Sequence, residues 1–436
     1  MRDYADIEQW LRGGDGEETP GDTTAGSGST DDLEKVQYWH EVRLLELEAR
    51  KKKTICQRIS NFICPPRIDH STALDMQYNH ECLTLTVEST PDPFVVRAHR
   101  QYYMTFTKGN RIEIWTSKYL ASFEESARKA VIWRPPPCTE HSADLWAPEL
   151  HAIRGRWYIY YAAANPARGS GSHRMYVLGG PPANEDPTLG QWEFLGRILG
   201  MPDQWATDGT VFELDNTLYF VYSGWPLDDH GHSDLTQQLF ILKLDDPTIA
   251  ASHPVMISAP EHTWEFTSDD NGAHGINEGP QFLESPDGKW KGIVYSAAGS
   301  WTHQYKLAVL HYNGGDPLNP RSWPKSQQPL LQASGHSKGP WGPGHGNFLS
   351  VGDETICVFH GTDSQHDGWE NRKARCQRVV FSKHGPYMGN YCGRDSTAKQ
   401  VKGSLVSQLR RRFSKPQLEL NPEASKSSLK LLLENY

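Results

Sequence analysis

The sequence predicts an all-β protein: a five-bladed β-propeller with a helical or disordered N-terminal extension and a polar C-terminal tail. One pattern recurs five times between residues 92 and 362, and the chain is rich in strand-forming aromatics, with 15 Trp, 18 Tyr and 14 Phe. At ~150 residues per domain the length alone would suggest about three domains. A repeat-built β fold instead runs long as one unit.

The repeats are Asp92-Pro-Phe-Val-Val then RAHRQYYMTFT, Ala147-Pro-Glu-Leu-His then AIRGRWYIYYAA, Asp208-Gly-Thr-Val-Phe then ELDNTLYFVYSG, Glu278-Gly-Pro-Gln-Phe then LESPDGKWKGIVYSAA, and His345-Gly-Asn-Phe-Leu then SVGDETICVFHGT. Each has a lead residue, usually Pro or Gly, a short apolar strand, a polar turn and an aromatic or β-branched strand, and so reads as a hairpin. Further strand candidates at 111–117, 173–178, 238–244 and 305–310 fill the gaps. Four short strands per unit make a propeller blade. The blades are expected to occupy 81–395, and 82–90 leaves room for an outer strand that would close the ring.

The flanks differ in composition. Residues 1–30 are Gly-, Asp-, Glu-, Thr- and Ser-rich and read as disordered. Residues 31–80 read as a helical extension and linker: Ser29 and Asp32 have capping-box spacing, and Leu33, Val36, Val42, Leu45 and Leu47 make a rough stripe. A solvated helix is preferred over a membrane-surface one, although Lys51, Lys52, Lys53 and Arg58 follow it. Residues 396–436 form the polar tail.

Charge and cysteines exclude several classes. The net charge of −9 argues against nucleic-acid binding. No run of 18 apolar residues is present, so no membrane-spanning helix is expected. Residues 1–20 contain no apolar signal region, which points to a cytoplasmic chain. Seven scattered cysteines and no Asn-x-Ser/Thr sequon fit a reducing compartment, and no zinc spacing occurs.

Architecture turns the repeat into chemistry. Equivalent positions at the starts of inner strands ring one end of a propeller axis. Asp92, Ala147, Asp208, Glu278 and His345 would then bring three carboxylates and a histidine into one cavity. Any one such Asp-Pro or Asp-Gly step is ordinary turn chemistry; recurrence at one place in a repeat favours a site. Two carboxylates across a cavity are the machinery of glycoside hydrolysis, and a third can hold the acid's pKa high. Trp115, Trp146, Trp225, Trp301 and Trp341 are candidate sugar-stacking planes, about half of them expected to be core instead.

The same motifs carry a family resemblance. TPDPFVV at 90–96, LWAPELHAIRGRWYIYYAA at 145–163, WATDGTVFE at 205–213, INEGPQF at 276–282 and GPGHGNF at 343–349 resemble glycoside hydrolase family 43, in its α-L-arabinofuranosidase-like branch, over roughly 82–392. The resemblance implies a five-bladed propeller, Asp92 as general base, Asp208 as the carboxylate that orients and tunes the acid, and Glu278 as general acid. It places His345 on the axis, in contact with substrate or near a calcium ion, with no cofactor required, and an arginine at Arg372 or Arg375. It implies inverting removal of terminal α-L-arabinofuranosyl residues from arabinan or arabinoxylan of plant cell walls by a monomer. β-Xylosidase, endo-arabinanase and a non-catalytic sugar-binding propeller are the alternatives. Most members are secreted, which pulls against the cytoplasmic reading.

Overall fold

The computed structural model describes residues 81–123, 127–227, 235–268, 272–335 and 339–396. The expectations for 1–30, 31–80 and the tail beyond 396 lie outside the described residues. No described helix is long and apolar enough to cross a membrane. Of the described cysteines, Cys138, Cys357 and Cys376 are free thiols.

The described chain is almost entirely antiparallel sheet. Unit one pairs Phe94–Ala98, Gln101–Thr105, Ile112–Ser117 and Arg128–Trp133 in chain order, and unit two pairs Ala143–Ile153, Arg156–Ala164, Arg174–Pro182 and Glu193–Arg197. Unit three is Ala206–Leu214, Thr217–Gly224, Thr236–Asp246 and Val255–Ser258. Unit four is Gly275–Glu284, Lys291–Ala297, Lys306–His311 and Leu331–Gln332. A short parallel pairing, Thr236 with Gly275 and Gln237 with Ile276, merges units three and four into one sheet. Unit five is Trp341–Val351, Glu354–Thr362 and Lys373–Ser382, and its next strand is Glu81–Thr84 from the other end of the described chain.

Local chemistry explains the hairpins. His99–Arg100, Arg154–Gly155 and Asp215–Asn216 are two-residue turns with both φ values positive. That is the type I′ geometry whose twist matches the flanking strands. Gly352 alone is positive in the turn before Glu354.

Packing is cyclic. Five apolar cores lie between successive units. Val95 and Trp115 pack with Val351 and Ile356 between units five and one, and Ile114 packs with Trp157 and Ile159 between units one and two. Phe220 and Phe240 pack with Tyr160 and Val177 between units two and three, and the remaining two cores repeat the scheme. The first strands also touch in a ring, each meeting the next and the fifth meeting the first. Among the described residues no sheet closes on itself through hydrogen bonds, so the ring is held by buried side chains at about 1.5–3 kcal/mol per large apolar residue.

Candidate active site

The first strands of units two to five each carry a bulge near the start. The register slips between Trp146 and Glu149, Thr207 and Thr210, Glu278 and Gln281, and Gly344 and Asn347. Within each slip one residue is left-handed: Ala147 (φ 41°), Asp208 (φ 54°), Gly279 (φ 54°) and His345 (φ 53°), while Asp92 (φ 55°) stands at the same place before Phe94. For four non-glycine residues this conformation costs about 1–3 kcal/mol each. One left-handed residue at this point of every unit, four of them non-glycine, defines a rim. It also corrects one alignment: Gly279, not Glu278, is the fourth lead. The position demands positive φ, which glycine adopts freely, and the acid stands one residue earlier.

The rim brings Asp92, Asp208, Glu278 and His345 together. Asp92 is the most heavily held. Thr107 Oγ1 donates to its Oδ2 at 2.7 Å. Its Oδ1 lies 3.3 Å from Arg372 Nη1, 3.2 Å from His360 Nδ1 and 3.5 Å from His345 Nδ1. Burial alone would raise its pKa. The Arg372 guanidinium first, and then His345, outweigh burial and hold the carboxyl well below the usual carboxylate range. Asp92 is therefore ionised. Burial pushes His360 down to about 4 against the pull of Asp92. The ring is thus neutral near pH 7, and its Nδ1 accepts from the Asp92 amide at 3.1 Å. Thr107 Oγ1 also accepts from the Ala147 amide at 2.8 Å, tying unit one to unit two at the rim.

The other two carboxyls behave oppositely. Burial first, then the charges of Glu278 and Asp92, lift Asp208 to about 7 against His345 and the Gly279 amide. Burial and the Asp92 charge lift Glu278 to about 7, although Tyr305 and Arg372 pull it down. Two such neighbours share one proton through neutral pH. The Gly279 amide donates to Asp208 Oδ2 at 3.1 Å, which favours charge on Asp208 and leaves the proton on Glu278.

Arg372, and not Arg375, is the arginine of the site. Arg375 is fully buried and serves the strand end, bonding Thr84 Oγ1 at 2.7 Å and pairing with Asp363. His345 donates its amide to Ser296 Oγ at 2.7 Å.

Trp115 is corrected. It is fully buried in the core between units five and one, with Nε1 bonded to Glu113 Oε2 at 3.0 Å and Lys129 Nζ 3.9 Å above the ring. It has no face to offer a sugar. Trp146 is half-buried and stacked on His173 at 3.7 Å, and Trp225 is stacked on Trp205 at 5.0 Å and 5°. Trp301 stands edge-on to His274 and to Trp369, and Trp341 edge-on to His303. Trp369 is an aromatic of the same rim that the repeat does not mark. It is 53% exposed and sits on the loop whose carbonyl at Trp369 accepts from Arg372 Nε at 3.1 Å.

Among the described residues no three His, Cys, Asp or Glu side chains could enclose a metal. His345 Nδ1 faces Asp92 and lies 3.1 Å from where a Cβ on Gly279 would stand.

A buried polar knot underlies Glu278. Glu265 is fully buried and accepts at Oε1 from Asn277 Nδ2 (2.8 Å), Tyr295 OH (2.9 Å) and Lys325 Nζ (2.7 Å). Its Oε2 accepts from the amides of Glu261 and His262, both at 2.8 Å. Glu265→Ala strands the Lys325 charge and should destabilise the fold by about 3–5 kcal/mol, read as a lower denaturation midpoint. Burial opposes ionisation of Glu265, but Lys325 and the two amides win, and its pKa is lowered. The stability it supplies is present above the unfolded carboxyl's pKa and is lost as pH falls through the folded one.

An ionised carboxylate beside a carboxyl pair that retains a proton near neutral pH is the equipment of acid–base catalysis. Comparison with known proteins supplies the family. A model of glycosyl hydrolases family 43 matches residues 85–387. "Alpha-L-arabinofuranosidase 43" of Humicola insolens is 32% identical over 67% of this chain and 60% of its own length. "Extracellular exo-alpha-(1->5)-L-arabinofuranosidase" of Streptomyces chartreusis is 30% identical over 63% of this chain and 80% of its own. The crystal structure of an alpha-L-arabinofuranosidase from Lactobacillus brevis superposes with a TM-score of 0.61 at 29% identity, covering 69% of this chain and 94% of that one. The chain belongs to glycosyl hydrolases family 43. It spans 60% of the length of the Humicola insolens relative.

Proposed function

We propose that the protein is an inverting glycoside hydrolase that removes terminal α-L-arabinofuranosyl residues from arabinan- or arabinoxylan-type glycans. The five units are read as the blades of one propeller, whose axis opens at the rim of left-handed residues. The observation that carries the proposal is the division of protonation at that rim: Asp92 held ionised by Arg372, and Glu278 held protonatable beside Asp208. Asp92 takes a proton from water as the water attacks the anomeric carbon, and Glu278 gives its proton to the departing oxygen. Asp208 keeps that proton on Glu278 by repulsion, while His345 and Thr107 hold the Asp92 side of the cavity. Trp225 and Trp301 are offered as sugar-stacking planes. The names of the arabinofuranosidase relatives support arabinose-containing glycans as substrate.

A panel of aryl α-L-arabinofuranosides, aryl β-D-xylosides and linear arabinan tests the reading. Release of arabinose from the first, exceeding cleavage of the other two, is expected. Preferential xyloside cleavage or internal cuts in arabinan would reassign the substrate, and inertness on all three would remove the enzyme reading. On the preferred substrate kcat/KM should form a bell. Its alkaline limb should fall near pH 7, where Glu278 and Asp208 titrate. Its acid limb should lie well below, because Asp92 stays ionised to low pH.

A further inference from the structure

One buried group in the carboxylate cradle has no task in the two-proton scheme. Tyr305 is 1% exposed and stacked on His360 at 5.4 Å and 12°. Its ring fills the space beside Gly344, where any Cβ would collide with it; glycine in the first strand of unit five is therefore required by this phenol. Its hydroxyl lies among Glu278, Ser296, Asp208 and Asp92. Yet among the described residues that hydroxyl completes no hydrogen bond of full geometry, although Glu278 and Ser296 lie close enough to act on it. Buried hydroxyls are normally satisfied. A site needing only bulk here would carry phenylalanine, so a buried donor held beside a carboxyl but out of line with it points to an interaction completed at another stage of the reaction.

We propose that Tyr305 is a positioning residue for the proton donor, its hydroxyl closing onto the Glu278 carboxylate that forms as the glycosidic bond breaks. The proposal rests on Glu278 being the acid. The Glu278 proton passes to the glycosidic oxygen, and the electrons of the breaking C–O bond go to that oxygen. Water adds to the anomeric carbon and its proton passes to Asp92. Tyr305 keeps its own proton throughout. Burial and the neighbouring Glu278 and Asp208 push the phenol far above its ordinary range, so it donates without ionising. A protonated Glu278 attracts the hydroxyl weakly, whereas the anion attracts it strongly. Catalytic hydrogen bonds are commonly misaligned before substrate binds and tighten in the reacting complex.

Tyr305→Phe keeps the ring that packs on His360 and removes only the donor. Loss of a group that stabilises the anion raises the acid's pKa. The alkaline limb of kcat/KM should therefore move up by about one pH unit. On an aryl arabinofuranoside with a poor leaving group kcat should fall about tenfold or more, with KM little changed and the loss nearly absent for a dinitrophenyl leaving group. Replacement of Tyr305 by 3-fluorotyrosine, a stronger donor of the same shape, should move the limb down. An infrared carboxyl band assigned to Glu278 by its absence in Glu278→Gln should titrate in parallel. An unmoved limb and band in both variants, whatever the loss of rate, would overturn the proposal. If Glu278→Gln itself retains the alkaline limb, the acid assignment has failed, and the tyrosine proposal fails with it for that separate reason.

Discussion

Asp92→Asn should reduce kcat/KM by about 10³–10⁴-fold, equally on activated and unactivated aryl arabinofuranosides. Asparagine preserves the shape that Thr107, His360 and Arg372 surround but cannot accept the water's proton. Asp208, the other carboxyl of the rim that carries charge, is engaged by the Gly279 amide and by the proton it shares with Glu278, and does not take over as base. A second effect distinguishes loss of the base from simple damage. The Asp92 charge helps to raise both Asp208 and Glu278, so the alkaline limb of the residual activity should move to lower pH. Calorimetric binding of arabinose should survive, since removal of a proton acceptor leaves the sugar contacts of the cavity in place. Substantial turnover by Asp92→Asn would sink the assignment of the base.

Glu278→Gln should show the complementary pattern. On substrates with poor leaving groups the loss should be about 10²–10⁴-fold. On a dinitrophenyl arabinofuranoside, whose oxygen departs without a proton, it should be small. The alkaline limb should disappear along with the titrating acid. Proton NMR of the first sugar released by the wild-type enzyme tests the stereochemical half of the scheme. A β-configured arabinofuranose formed first fits water attack opposite the leaving group. An α-configured sugar would require a glycosyl-enzyme and a different role for Asp92.

The sequence made the scaffold readable because each hairpin turn needs residues that tolerate positive φ, and Asn, Asp and Gly recur where the strands reverse. The rim residues Asp92, Asp208 and His345 were legible from the same periodicity. Glu278 was placed one residue out of register, because the shared feature of the rim is backbone conformation and Gly279 satisfies it without an acidic side chain. Thr107, Tyr305 and His360 carry no signal. They come from a loop, the approach to a third strand and a second strand, positions that the repeat does not make equivalent. Trp115 misled for a different reason. Strand Ile112–Ser117 is buried at all six positions, so it lacks the inside–outside alternation that separates an exposed aromatic from a core one. The choice between Arg372 and Arg375, three residues apart, needed the path of the chain after Thr362.

The strand Glu81–Thr84 lies between Lys373–Ser382 on one side and Arg394–Ser396 on the other. Its partners are the last parts of the sheet to be made. At about 5–20 residues per second, synthesis from Glu81 to Ser382 takes roughly 15–60 s. Throughout that interval the early strand lacks both of its partners, and the apolar face of unit one, including Val95 and Met104, lacks the residues of unit five that cover it in the finished fold. Folding on the ribosome thus ends with a long-range closure between the beginning and end of the ring, the slow kind of contact that leaves adhesive edges waiting. The seam between units five and one can therefore be sealed only after Ser382 has been made, with the two ends of the described chain meeting in one sheet.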